Sequence, residues 1–231
     1  MTEDRREELR ANLASTQRQI GEACIAAGRD AREVHLIVVT KTYPASDVIL
    51  LQDLGVTDVG ENRHPEAGDK HAEVDAPLTW HFIGGLQTNK AAAVTAYADV
   101  VHSVDRLKLV TALSKGAVAH HRDVTCLVQV RLSETEGRAG ALPDDAVGVA
   151  EAIASAPGLV LGGVMGVAPL DADPSPAFAQ LVQISHDIRA NHPQATMISA
   201  GMSGDFAAAI AAGATHLRIG RSILGERPPL G

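Results

Sequence analysis

Eight short runs of β-branched and aliphatic residues recur along this chain, and segments with helical patterning separate nearly all of them. The runs fall at 35–41 (HLIVVTK), 56–60, 79–84 (TWHFIG), 100–104, 124–132 (VTCLVQVRL), 159–165, 196–199 and 216–220. Between them the patterns predict helices over 46–54, 88–98, 106–120, 144–154, 177–191 and 205–212. A further helix precedes the first run. Leu9, Leu13, Ile20, Cys24 and Ala27 form its apolar stripe, and Gly28 ends it. Strands that alternate with helices through short connections build a parallel sheet. An open sheet would need two edge strands, yet no run is blunted by charge or proline. The expected fold is therefore α/β: a single (β/α)8 TIM barrel with an extra N-terminal helix, one domain over residues 1–231. The boundaries are least defined at the second run and across 63–77.

Composition fits that architecture and narrows the function. Aromatic residues make up only 3% of a chain that is 45% hydrophobic, so Val, Ile, Leu and Ala must form the core. Such residues suit parallel strands covered by closely packed helices. A formal net charge of −8 with no Lys/Arg run argues against nucleic-acid binding and against attachment to anionic lipid. Cys24 and Cys126 lack any metal-ligand spacing, which predicts two buried thiols and neither a disulfide framework nor a metal site. A polar N-terminus without a signal-like segment, and the lack of a membrane-length apolar run, make the cytoplasm the expected location.

Chemistry in a (β/α)8 barrel gathers at the C-terminal ends of the strands. Strand alternation puts His35, Ile37, Val39 and Lys41 on one face of the first strand. On the eighth, His216, Arg218 and Gly220 share a face while Leu217 and Ile219 point toward the helices. A lysine and an arginine in one barrel mouth call for an anion between them. The glycine-rich loop after strand seven and the Gly220-Arg221-Ser222 end of strand eight offer backbone N–H groups for a phosphate. A partly desolvated lysine beside other cations suits Schiff-base chemistry with an aldehyde. An aldehyde that also carries a phosphate points to pyridoxal phosphate, with Arg218 placed to meet its ring nitrogen.

The same residues carry a resemblance. Val39-Thr40-Lys41-Thr42, Gly60-Glu61-Asn62, Trp80-His81-Phe82-Ile83-Gly84, Leu86-Gln87, Asn89-Lys90, Gly201-Met202-Ser203, Asp205, Arg218-Ile219-Gly220 and Leu224-Gly225 follow one another in this order. In them the chain resembles the pyridoxal phosphate homeostasis proteins, relatives of the N-terminal barrel of alanine racemase. The match runs from about His35 to Gly225. It implies a fold type III pyridoxal phosphate barrel with the cofactor as a Schiff base on Lys41 and Arg218 facing the pyridine nitrogen. It also implies that Ser203, Gly220 and Arg221 surround the phosphate, with Asn62 and His81 near the ring. On the residues alone, His81 fits a ligand contact or a hydrogen-bonded core histidine equally, and Asn62 could be a turn residue. Three positions depart from the family pattern: Tyr43 stands where a lysine is common, Arg131 where an asparagine is common, and Ala200 in place of a methionine.

The implied role is storage, buffering or delivery of pyridoxal phosphate inside the cell, with no catalytic residue assigned and a monomer as the default state. Pyridoxal phosphate-dependent apo-enzymes would be the recipients. Two alternatives stay open on the residues: a racemase-like pyridoxal phosphate enzyme, and an aldolase-like barrel that uses Lys41 on a sugar phosphate. Racemisation needs a base on each face of the substrate Cα. The tyrosines available for the second face are Tyr43, two residues from Lys41, and Tyr97, in a helical segment outside the barrel.

Overall fold

A computed structural model describes residues 2–133 and 139–225. A long helix α1 (Thr2–Ala26) leads into β1 (His35–Val39), α2 (Ala45–Asp53), β2 (Asp58–Glu61), α3 (Glu66–Glu73) and β3 (Thr79–Phe82). There follow α4 (Ala91–Thr95), β4 (Val100–Val104), α5 (Leu107–Ala119), β5 (Val124–Val130), α6 (Ala146–Ala154) and β6 (Leu159–Gly166). The described chain closes with α7 (Ser175–Arg189), β7 (Met197–Ser199), α8 (Phe206–Ala212), β8 (His216–Ile219) and the single turn α9 (Arg221–Leu224). The strands pair in sequence order as a closed parallel barrel, β8 returning to β1. This is the (β/α)8 architecture that the alternation predicts.

Strand faces divide as the period of two requires. Val38, Val59, Leu217 and Ile219 point outward into the main apolar core shared with the helices. Ile37 and Val39 point inward: a Cβ on Gly60 of the neighbouring strand would lie 3.1 Å from Ile37 and 3.6 Å from Val39. Val100, Leu127 and Met165 form a separate small cluster. Leu9, Leu13, Ile20 and Cys24 of α1 are buried, and α1 packs against α8 and α9. Both cysteines are buried thiols, and burial pushes that of Cys126 up to about 12. Among the described residues no helix is long and apolar enough to cross a membrane.

The expected and observed elements differ where side chains or turns override periodicity. β1 stops at Val39, although Thr40 N–H still donates to Gly60 O at 3.0 Å. Lys41 therefore sits in the turn just beyond the strand, beside Thr42 at φ 70°. The helix expected over 88–98 is a 3-10 turn (Thr88–Lys90) followed by the short α4. The undefined stretch 63–77 contains α3, whose Lys70 is buried.

Two glycines test this packing in opposite directions. Gly163 has φ 146°, and a Cβ there would lie 2.0 Å from Met197 O of the adjacent strand. Gly163→Ala should lower the unfolding free energy by about 2–5 kcal/mol, combining backbone strain with overpacking. Gly148 lies within α6 with nothing within 4 Å of its Cβ position, so Gly148→Ala should raise stability by about 0.5–1 kcal/mol. Urea midpoints of the two variants should move to opposite sides of the parent value.

Candidate cofactor site

A cavity of about 490 Å³ opens at the C-terminal ends of the strands. Val39 reaches it from the end of β1 and Lys41 from the turn beyond, Ile83 from beyond β3, Arg218 from β8 and Gly220 from just after it. The loop after β7 adds Met202, Ser203, Gly204 and Asp205, while Pro169, Leu170, Ala172 and Pro174 form a lip between β6 and α7. Five of the seven residues singled out in the sequence thus line one space: Lys41, Ser203, Arg218, Gly220 and Arg221. The other two stand apart from its lining. Asn62 follows β2 with its Oδ1 buried and without a hydrogen-bond partner among the described residues. His81 is buried inside the barrel, hydrogen bonded through Nδ1 to His102 and through Nε2 to Asp58, each at 2.9 Å.

Arg218 is the electrostatic centre of the cavity. Its Nη1 donates to Ser199 Oγ at 2.6 Å and its Nη2 to Gly166 O at 2.9 Å. Burial pulls this guanidinium down to about 10, with Asp205 working in the opposite sense, so it is still a cation at neutral pH. Among the described residues both hydrogen-bond partners are neutral and occupy two of its five donors. A buried cation with neutral partners on a cavity wall is a place where an anion or a hydrogen-bond acceptor gains unusually much. Gly220 keeps the wall open beside it, since a Cβ there would lie 2.9 Å from Val39 O. Asp205 shapes the facing loop by accepting from Met202 N–H at 2.6 Å.

Sequence reasoning missed two groups of residues behind the cavity. Inside the barrel, His102 Nδ1 meets Ser199 Oγ at 2.9 Å and links His81 to Arg218. Outside it, Lys70 Nζ donates to Glu61 Oε1 at 2.5 Å and to Thr40 O at 2.9 Å, and Thr40 Oγ1 donates to Glu61 at 2.7 Å. Burial raises the Glu61 carboxyl, with Lys70 opposing that rise. The available signal was polar residues inside a mostly apolar run, as for His102 and Ser103 in Val100–Val104.

Comparison with known proteins agrees with this geometry. The alanine racemase N-terminal domain family matches residues 7–228. The pyridoxal phosphate homeostasis protein of Mycobacterium bovis is 38% identical over 244 aligned positions, covering 97% of this chain and 95% of its own. That of Pseudomonas aeruginosa is 39% identical, with 94% of each chain covered. The solved structure of PipY from Synechococcus elongatus with pyridoxal phosphate bound superimposes with a TM-score of 0.83 at 31% identity. That alignment covers 94% of this chain and 100% of PipY.

The interior histidines make the site's electrostatics measurable in the bare protein. Burial holds His102 well below 6.5, aided by His81, Arg218 and His216, and burial with His35 and His81 brings His216 to about 3. Below about pH 6.5 the unfolded chain binds protons at these positions and the folded barrel does not, so stability falls as pH falls. Two such groups give a slope approaching about 2.7 kcal/mol per pH unit between about pH 6 and 5. His102→Gln should roughly halve that slope. Urea midpoints independent of pH across this window would contradict the assignment.

Proposed function

Since the chain belongs to the pyridoxal phosphate homeostasis proteins, barrels of the alanine racemase N-terminal type, we propose that its cavity holds pyridoxal phosphate covalently on Lys41 and that its role is to store, buffer or deliver the cofactor without turnover. The observation that carries this reading is that Lys41 and the buried Arg218 share one cavity with the loops after β7 and β8. Its volume falls within the range of about 300–1,000 Å³ usual for small-molecule sites. Pyridoxal phosphate supplies an aldehyde that a neutral amine captures with loss of water, and a phosphate that anchors the ring. Lys41 provides the amine. Arg218 meets the ring nitrogen, and Ser203, Gly220 and Arg221 receive the phosphate. Asn62 and His81 would stand near the ring, behind the residues that line the cavity.

An arginine at the ring nitrogen hydrogen bonds to it without giving up its proton, so the bound ring is a weak electron sink. The second base that racemisation needs also has no good candidate in the tyrosines. Tyr43 donates its hydroxyl to Gly225 O at 2.7 Å, and Tyr97 is buried beside His64 and His71 with its phenol pushed up by burial. The names of the relatives point the same way, toward homeostasis rather than catalysis. In this reading residues 1–231 act as one domain, monomeric and cytoplasmic, and apo-enzymes that use pyridoxal phosphate are the recipients.

Borohydride reduction of protein loaded with pyridoxal phosphate should fix a pyridoxyl group on Lys41, detected by peptide mass spectrometry. Lys41→Ala should lose both the adduct and the visible absorbance while unfolding like the parent protein. A reducible adduct on another lysine, or a protein that never takes up the cofactor, would overturn the reading. Arg218→Gln should weaken cofactor binding about tenfold, the effect of removing one charge-assisted hydrogen bond. Loaded protein incubated with L- or D-alanine in deuterated water should show no sustained Cα–H exchange. Exchange that disappears in Lys41→Ala would instead make the protein an enzyme.

A further inference from the structure

Arg218 is tied to the opposite end of the barrel by a line of interior side chains. From Arg218 Nη1 the line passes to Ser199 Oγ (2.6 Å), to His102 Nδ1 (2.9 Å), from His102 Nε2 to His81 Nδ1 (2.9 Å), and from His81 Nε2 to Asp58 Oδ1 (2.9 Å). The links come from β8, β7, β4, β3 and β2 in turn. Ser199, His102 and His81 are all buried. Asp58 opens the N-terminal end of β2, away from the cavity, and its other oxygen accepts from Thr57 Oγ1 at 2.6 Å.

With an uncharged His81 ring, the ends of this line fix every proton in it. An ionised aspartate only accepts, so His81 must donate through Nε2–H, which leaves Nδ1 bare in a neutral ring. His81 Nδ1 then accepts from His102 Nε2–H. Full burial keeps His102 neutral, so its Nδ1 is bare and accepts the Ser199 hydroxyl. Ser199 Oγ, its proton spent on His102, accepts from the other end, where Arg218 can only donate. Reversing either ring would set two bare nitrogens, or two N–H groups, against each other at 2.9 Å. Burial works to raise the Asp58 carboxyl, but the bonds from His81 and Thr57 outweigh it and keep the terminal acceptor charged.

We propose that Ser199, His102, His81 and Asp58 form a one-directional hydrogen-bond relay that positions the Arg218 guanidinium at the cavity and links its positive charge to the carboxylate at the far end of the barrel. The role of Arg218 toward pyridoxal phosphate rests on the function proposed above; the relay's proton order does not. None of the four relay residues lines the cavity, so they are positioning residues. Among the described residues no three histidine, cysteine or acidic side chains are arranged to hold a metal, so these histidines do not read as a metal site.

The first test uses protein free of cofactor. Imidazole ¹H–¹⁵N correlation spectra at neutral pH should show His81 and His102 neutral and protonated on Nε2. Either ring in the Nδ1–H form, or charged, would overturn the proposal whatever the protein binds. The second test uses pyridoxal phosphate itself. Ser199→Ala and His102→Leu should each weaken its binding about tenfold and shift the visible band of the bound cofactor. His102→Gln keeps one acceptor and one donor and should stay within about threefold of the parent. In an Arg218→Gln background, His102→Leu should have almost no further effect, because the relay acts through Arg218. Additive losses, or a His102→Leu band and affinity equal to the parent's, would overturn the relay. If the parent protein bound no pyridoxal phosphate, the proposed function would fall while the spectra still judged the proton order.

Discussion

The site exists because the last strand pairs with the first. Register sets His35 opposite His216, Ile37 opposite Arg218 and Val38 opposite Ile219. Side-chain parity then sends Arg218 and Gly220 to the same interior as Ile37 and Val39, and the turn after β1 brings Lys41 to the same cavity. A slip of one residue would turn Arg218 toward the helices and Ile219 toward the cavity. Closing a contact between the two ends of the chain costs loop entropy that grows only slowly with separation. The aliphatic layer between barrel and helices offsets that cost. Val38, Leu217 and Ile219 belong to it, so the residues that secure the β1–β8 pair outside are immediate neighbours of those that build the site inside.

Polar groups on both sides of the sheet stiffen the mouth. On the inner side Arg218 is bound to Ser199 and Gly166, which joins β8 to β7 and β6. On the outer side Glu61 and Lys70 are both nearly inaccessible, and Lys70 binds the carbonyl of Thr40 as well as the carboxylate. That carbonyl belongs to the peptide bond leading into Lys41. The strained turn at Thr42 follows directly, so the backbone bearing Lys41 is held on one side by a buried ammonium. Buried ion pairs of this kind add little net stability, but losing one partner strands the other at a cost of several kcal/mol. Glu61 and Lys70 are thus better understood as fixing a backbone position than as strengthening the fold.

How much was legible before the structure depended on the range of the interaction. Strands at 100–104 and 124–132 declare themselves by composition, and the structure keeps them at Val100–Val104 and Val124–Val130. The pairing of Lys41 with Arg218 was readable because parity is local and barrel closure follows from the number of strands. The position of His81 was not. Its neighbours in sequence suggest either role, and the choice depends on His102 and Asp58, which approach from other strands. α3 was illegible for a different reason. Its Lys70 is a charge on a buried helix face, explained by Glu61 on β2 and by nothing in the local pattern.

Tyr43, two residues beyond Lys41, fits this frame in its own way. A lysine at this point in the turn would add a third cation near Lys41 and Arg218. The tyrosine ring lines the cavity instead, and its hydroxyl binds Gly225 O just after α9. Arg5 of α1 stacks over that ring at 5.9 Å, donates to Asp47 at 2.7 Å and to Leu224 O at 3.0 Å, while Asn12 donates to Ile223 O at 3.0 Å. The carbonyls at the end of α9 are thereby satisfied by side chains from α1 and from the Lys41 turn. That arrangement gives the N-terminal helix a purpose that its amphipathic stripe alone does not explain. It clamps the first and last loops of the mouth together, so the turn carrying Lys41 and the segment carrying Gly220 and Arg221 form one braced unit. A lysine at position 43 could not hold that brace in the same way, because an ammonium lacks the aromatic face that Arg5 covers.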